Sequence, residues 1–204
     1  MQTSGLGFAR SYGVGTIPVF QRDKAFQLAQ GGFTLDKTGL VAHQILLSGT
    51  PLVFDEAART AVVLRTAKLF ADAANNATTY SVLKGSPLKV GDYLAAVSGG
   101  AAYAITAIDT TTFTDHDVVT VGTTLGVALT AGASLFNSTA TGASAAALPA
   151  INGLLYEDTI VAVTGINQTV SAVVRAFVYA RRTFYISALA SVSGLDDITY
   201  SQSY

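Results

Sequence analysis

The chain has two histidines, His43 and His116, and no cysteine, which narrows the chemistry open to it. Without thiols there is no disulfide framework, no thiolate metal site and no sulfur nucleophile. Asp115-His116-Asp117 has the residue types of a ligand cluster. Neighbouring residues on a strand point to opposite faces, so at most two of the three converge, and the segment reads as a polar turn between Phe113 and Val118. For serine hydrolysis there is no Gly-x-Ser-x-Gly elbow. For phosphate, Gly99-Gly100 lacks a following lysine and helix, and Gly122-Thr123-Thr124-Leu125-Gly126 lacks a Lys-Ser/Thr partner. The adjacent acids Asp55-Glu56, Glu157-Asp158 and Asp196-Asp197 do not establish the two carboxyls about 5–9 Å apart across a cleft that glycosidases use. They read as solvated turns or interface ion pairs. Arg181-Arg182 either pairs with such acids on a neighbouring subunit or blunts an exposed strand edge. The expectation is a chain that is not an enzyme, with no catalytic residue, metal or cofactor.

What must position any contact residue is then the question, and composition bounds it. A chain of 204 residues is long enough for one domain that buries roughly 70% of its unfolded surface. It is 50% hydrophobic and 12% charged, with a mean hydropathy of +0.44, against about 25% charged in a typical soluble domain. Gly, Thr, Ser, Asn and Asp break every apolar run before the roughly 18 residues that span a bilayer, so large protein interfaces, not a membrane, explain the low charge. Net charge is −1 and the cationic residues are scattered apart from Arg181-Arg182, which argues against a nucleic-acid partner. Residues Met1 to Phe8 lack the charged and apolar regions of a secretory signal, so synthesis in a cytoplasm is expected.

The strongest structural signal is a recurring turn-and-strand phrase: Gly49-Thr50-Pro51-Leu52-Val53-Phe54, Leu88-Lys89-Val90-Gly91-Asp92-Tyr93-Leu94, and Leu129-Thr130-Ala131-Gly132-Ala133-Ser134-Leu135-Phe136. Each copy punctuates alternating apolar residues with a glycine turn, the pattern of an all-β domain folded as a compact barrel or sandwich. Strands are predicted over 40–47, 52–54, 61–70, 79–84, 92–97, 102–108, 117–121, 126–129, 134–136, 159–164 and 169–179. Residues 1–38 are predicted to be an extended arm, with two helical turns over 22–30 ended at Gly31-Gly32. Its first 20 residues mix glycines with Phe8, Tyr12, Val14 and Ile17, which are candidate contacts to a neighbouring chain. The β-rich domain is placed at 39–186, with a small-residue surface or interface loop over 138–147, and a C-terminal tail at 187–204.

The run Tyr80-Ser81-Val82-Leu83-Lys84-Gly85-Ser86-Pro87-Leu88-Lys89-Val90-Gly91-Asp92-Tyr93-Leu94-Ala95, followed by Ala102 to Asp109, resembles head fibre and capsid decoration proteins of tailed phages of gut bacteria. So do Asp117 to Leu129, Asn152-Gly153-Leu154-Leu155-Tyr156-Glu157-Asp158 and Tyr179-Ala180-Arg181-Arg182. The Gly-Thr-Pro-Leu phrase at Gly49 looks like the β-tulip-like fold of lambda-type decoration proteins, from which the 138–147 loop and long tail depart. The resemblance implies a virion structural protein on the capsid exterior, assembled in the host cytoplasm. Its implied partners are the major capsid protein, itself as a homotrimer and, in a fibre-base role, a further head fibre protein. An adhesin or carbohydrate-binding β module is the alternative. That reading requires exposed aromatics gathered on one sheet face, whereas Trp is absent and the tyrosines are spread along the chain.

Overall fold

The computed structural model describes residues 18–21, 24–186, 188–189 and 192–201. The described chain is all-β. Its strands are β1 (Gln27–Leu28), β2 (Phe33–Leu35), β3 (Ile45–Leu46), β4 (Pro51–Asp55), β5 (Thr60–Val63), β6 (Thr66–Lys68), β7 (Thr79–Leu83), β8 (Tyr93–Ala95), β9 (Ala102–Asp109), β10 (His116–Val121), β11 (Ser134–Ser138), β12 (Gly153–Leu155), β13 (Thr159–Ile160), β14 (Thr169–Val170), β15 (Ala172–Tyr179) and β16 (Ile198–Ser201). Short 3₁₀ turns, Ala180–Arg182 and Ser193–Leu195, stand near the C-terminal end.

Three sheets result. The largest runs β1-β15-β12-β4-β5-β2-β14, with β16 also on β15. It is covered on both faces: Leu154 and Val173 enter one core cluster while their neighbours Leu155 and Ala172 enter another, as the period-2 alternation of a strand requires. A second sheet, β6-β11-β8-β9-β10-β7, comes from one unbroken stretch between β5 and β12 and has its own core around Tyr80, Val82, Leu94, Ile105, Val119 and Leu135. Its end strands meet at a Leu69–Val82 bridge, where Phe70 N–H donates to Ser81 O at 2.8 Å. Phe136, Ala95 and Ala102 of this sheet pack with Leu64, Ile151 and Leu154, so the two sheets share apolar contacts at their junction. The third sheet is a two-stranded ribbon, β3 with β13.

The recurring phrase has a single geometric cause. Gly49, Gly91 and Gly132 have φ of +79°, +93° and +83°, and each is the third residue of a turn closed by an i+3 hydrogen bond. The bonds are Thr50 N–H to Leu47 O, Asp92 N–H to Lys89 O and Ala133 N–H to Thr130 O. Positive φ at the third residue alone defines the type II turn, which favours glycine there. The turn at Val41–Gln44 places His43, φ +67°, in the same position.

Several expectations are corrected. Residues 22–30 are not helical where described: Gln27–Leu28 pairs with β15 instead. Phe26 and Leu28 alternate toward the core, and nine residues make a marginal helix without packing. The arm does not extend to 38, because Phe33 and Leu35 of β2 are fully buried and Val19 and Phe20 join the core. The 187–204 segment is not a free tail, since Ile198–Ser201 lies parallel to β15 and Leu189, Leu195 and Ile198 are buried. No strand forms at 126–129, where only an Ala73–Leu129 bridge occurs. The 138–147 loop is at the surface where Thr139, Thr141, Ala143 and Ser144 are exposed, but its ends are anchored: Ser138 Oγ accepts from Ala140 and Ala147 N–H, Gly142 bridges Ala102, and Ala146 is in the core.

Candidate interaction surfaces

The residues singled out for chemistry do not converge. Asp115 and His116 are joined, with His116 Nδ1 donating to Asp115 Oδ1 at 2.7 Å, and this bond holds the exposed Asp115 carboxyl below its ordinary value. Asp117 points the other way and is buried. Its Oδ2 accepts from Gly85 N–H at 2.9 Å, and its Oδ1 lies 3.2 Å from Lys84 Nζ. The expected polar turn is therefore corrected: His116 and Asp117 open β10, and the turn lies upstream at 110–115. Among the described residues no group of three His, Cys, Asp or Glu is placed to hold a metal ion. No described helix is long and apolar enough to cross a membrane.

Most charges serve the chain's own loops. Asp55 Oδ1 accepts from Ala57 and Ala58 N–H, and Asp158 Oδ1 accepts from Ser48 N–H at 2.7 Å. Asp197 reaches Arg175 at 3.2 Å. These acids are intrachain caps and pairs, since a fixed carboxylate satisfies turn N–H groups that no strand reaches. Arg65 grips Asp92 with two parallel bonds, Nε to Oδ2 at 2.8 Å and Nη2 to Oδ1, and Asp92 Oδ2 also accepts from Lys89 N–H. That pair ties the β5–β6 crossing to the turn before β8. Arg181 and Arg182 do not blunt a strand edge; they lie in the 3₁₀ turn. Arg182 stacks over Tyr179 and donates to Pro18 O at 3.1 Å, while Arg181 is exposed. Phe8, Tyr12, Val14 and Ile17 lie outside the described residues.

Among the described residues, half of the exposed large apolar side chains lie on the β3–β13 ribbon and its flanking turns: Val41 (69% exposed), Ile45, Leu47, Ile160, Val163 and Ile166. Ile45 and Ile160 are register partners, so both lie on one face, while Leu46 and Val161 turn inward. The backbone beneath is fixed. Lys37 Nζ donates to Val163 O at 2.8 Å and also to Ile166 O. The Gln168 side chain accepts from Ala162 N–H and donates to Ile160 O, occupying edge groups that another strand would otherwise pair.

A second surface is aromatic. The His116 ring is sandwiched between Phe70 (centroids 4.8 Å apart, planes 9° apart) and Phe113 (4.3 Å, 22°). Phe70 and Phe113 are 40% and 44% exposed, and Leu83, the register partner of His116, is also exposed. The 110–115 loop is held from both ends: Asp109 Oδ1 accepts from Thr111 and Thr112 N–H, and Lys84 Nζ donates to Thr110 O and Phe113 O. Those bonds hold the Asp109 carboxyl well below its usual range.

Compared with known families, curated proteins and solved structures, this chain matches none. The two surfaces are what its geometry offers. Sequence reading missed both, because Val41 and Ile166, or Phe70 and Phe113, are joined only by tertiary pairing. The strands predicted over 40–47 and 159–164 from their apolar, β-branched residues were the one available signal for the ribbon.

Proposed function

We propose that this chain is a structural protein of a tailed-phage virion that decorates or cements the outer surface of the capsid. In this reading it works as a homotrimer against the major capsid protein, after assembly in the host cytoplasm. The motif resemblance, which covers roughly residues 40–204, supports it. The observation that carries it is the group of exposed aliphatic side chains on the β3–β13 ribbon and its flanking turns, with Ile45 and Ile160 on one face and the backbone tied by Lys37 and Gln168. Burying what remains exposed of its six side chains is worth about 5–9 kcal/mol, at ~1.5–3 kcal/mol per whole side chain, before the costs of association. Repeated by symmetry, such a joint holds through multivalency. Gln168 occupies the β13 edge, so on that side the strip docks through side chains and not by strand addition.

The role calls for no cofactor, nucleic acid or membrane, and the chain acts in it as a binding protein, not an enzyme. Phe8, Tyr12, Val14, Ile17 and Arg181 are proposed as further capsid or subunit contacts. As a fibre base, the same domain would also seat a further head fibre protein. Co-sedimentation with capsids lacking this chain tests the proposal, using Ile45→Asp with Ile160→Asp. Both side chains are 47% exposed, so the fold should tolerate the change while capsid binding is lost. Unchanged occupancy of the variant would remove the strip from the account. The adhesin or carbohydrate-binding alternative draws on the aromatic surface.

A further inference from the structure

We propose that Asn152-Gly153 is a deamidation site that the fold holds shut, so that its conversion records loosening of the C-terminal segment packed against it. The chemistry is set by the sequence. This is the chain's single Asn-Gly pair, and a glycine lacks the side chain that would shield its backbone nitrogen from reacting. In an open chain the Gly153 nitrogen attacks Asn152 Cγ, forming the N–Cγ bond of a five-membered imide while the Cγ–Nδ2 bond breaks. Ammonia leaves with the proton of the Gly153 N–H. Water then adds to one imide carbonyl and opens the ring to aspartate or isoaspartate.

The fold opposes that attack twice. Phe54 N–H donates to Asn152 Oδ1 at 2.8 Å and Asn152 Nδ2 donates to Phe54 O at 2.8 Å, so both ends of the carboxamide are committed to one residue of β4. Ring closure must break both bonds. The backbone is covered as well, because a Cβ on Gly194, in the 3₁₀ turn Ser193–Leu195, would collide with Ile151 O and come within 3.0 Å of Asn152 Cα. Turning the chain about Asn152 needs room that Gly194 occupies.

The consequence falls on the middle of the largest sheet, where β12 lies between β15 and β4. An ionised aspartate at 152 still accepts from Phe54 N–H but has no donor for Phe54 O. Isoaspartate adds a carbon to the backbone and moves Gly153 off its register with Leu52. Either product keeps the junction from closing as before. None of this rests on the capsid reading, and the isolated protein tests it.

The experiment incubates the whole chain in mildly alkaline buffer, folded and in urea, and follows the Asn152 peptide by mass spectrometry with an isoaspartate assay. Conversion should be at least about tenfold slower in the folded chain, the factor given by a local opening cost of about 1.4 kcal/mol. Gly194→Ala, with its folding checked by circular dichroism, should speed the folded-state reaction severalfold and leave the rate in urea unchanged. Asn152→Asp should melt below wild type. Equal wild-type rates in the folded and urea-unfolded chain would overturn the proposal, as would a folded Gly194→Ala that converts no faster than wild type. If Gly194→Ala does not fold, the wild-type comparison decides.

Discussion

Substituting alanine for the glycine in two copies of the turn phrase separates backbone strain from packing. At Gly132 the added Cβ would meet nothing within 4 Å, and φ is +83°. The left-handed conformation costs an L-residue about 1–2 kcal/mol, and the stiffer unfolded chain returns about 0.5–1 kcal/mol, so Gly132→Ala should destabilise by about 1 kcal/mol. At Gly49 φ is nearly the same, +79°, but the Cβ would collide with Thr183 Oγ1 and come within 2.8 Å of Val19 Cγ1. Thr183 and Val19 are both buried, and overpacking of this kind adds about 1–3 kcal/mol. Gly49→Ala should therefore cost about 2–4 kcal/mol. For a chain of this size each kcal/mol lowers the melting temperature by about 2–4 °C. Calorimetry should show a drop of about 2–4 °C for Gly132→Ala and two to four times that for Gly49→Ala. Equal drops, or a larger one at Gly132, would refute the assignment of one cause to both turns and a second only to Gly49.

Breaking the Arg65–Asp92 pair by Asp92→Ala should cost about 2–4 kcal/mol, because a partly buried guanidinium and Lys89 N–H lose their acceptor, whereas Arg65→Met with Asp92→Leu should return to within about 2 kcal/mol of wild type; urea unfolding of the variants checks it. Asp117→Ala should cost about 1–3 kcal/mol by orphaning Gly85 N–H, Lys84 keeping its bonds to Thr110 O and Phe113 O, while the exposed Asp115→Asn leaves the unfolding midpoint nearly unchanged. Asp109 and Asp36 have folded pKa values depressed by the N–H and hydroxyl bonds they accept. Their contribution to stability is therefore complete above the ordinary carboxylate value near 3.8 and is lost as pH falls through the lower folded values. The amides of Thr111 and Thr112 should lose their hydrogen-bonded shifts only well below pH 3.8, and that of Thr38 below 3.8, and Asp109→Asn should abolish that titration in the 110–115 loop. Val19 and Phe20 are buried and Phe20 bridges Val178, so Phe20→Ala should lower stability by about 3–5 kcal/mol, read by urea unfolding.

The all-β class was legible because strand alternation and type II turns are local properties: Gly49, Gly91 and Gly132 mark turns by residue type alone. Period-2 signals also placed β7, β9, β10 and β11 within a residue or two. Short strands escaped where tertiary pairing overrode local preference. Gln27–Leu28 has two residues and Ile198–Ser201 four, too few to show a clear period, and each is held by β15. Gly153-Leu154-Leu155 is buried on both faces and so shows no alternation. The functional surfaces were less legible still. Nothing in the neighbourhood of Phe70 announces that β6, β7 and β10 bring it against His116, or that Lys84 staples the loop bearing Phe113.

The central claim is a capsid-decorating role, and negative-stain imaging of the purified chain mixed with undecorated capsids tests it most directly. The account predicts regular density at the capsid's local threefold positions, lost when Ile45 and Ile160 are replaced by aspartate. Bare capsids at saturating protein would contradict it.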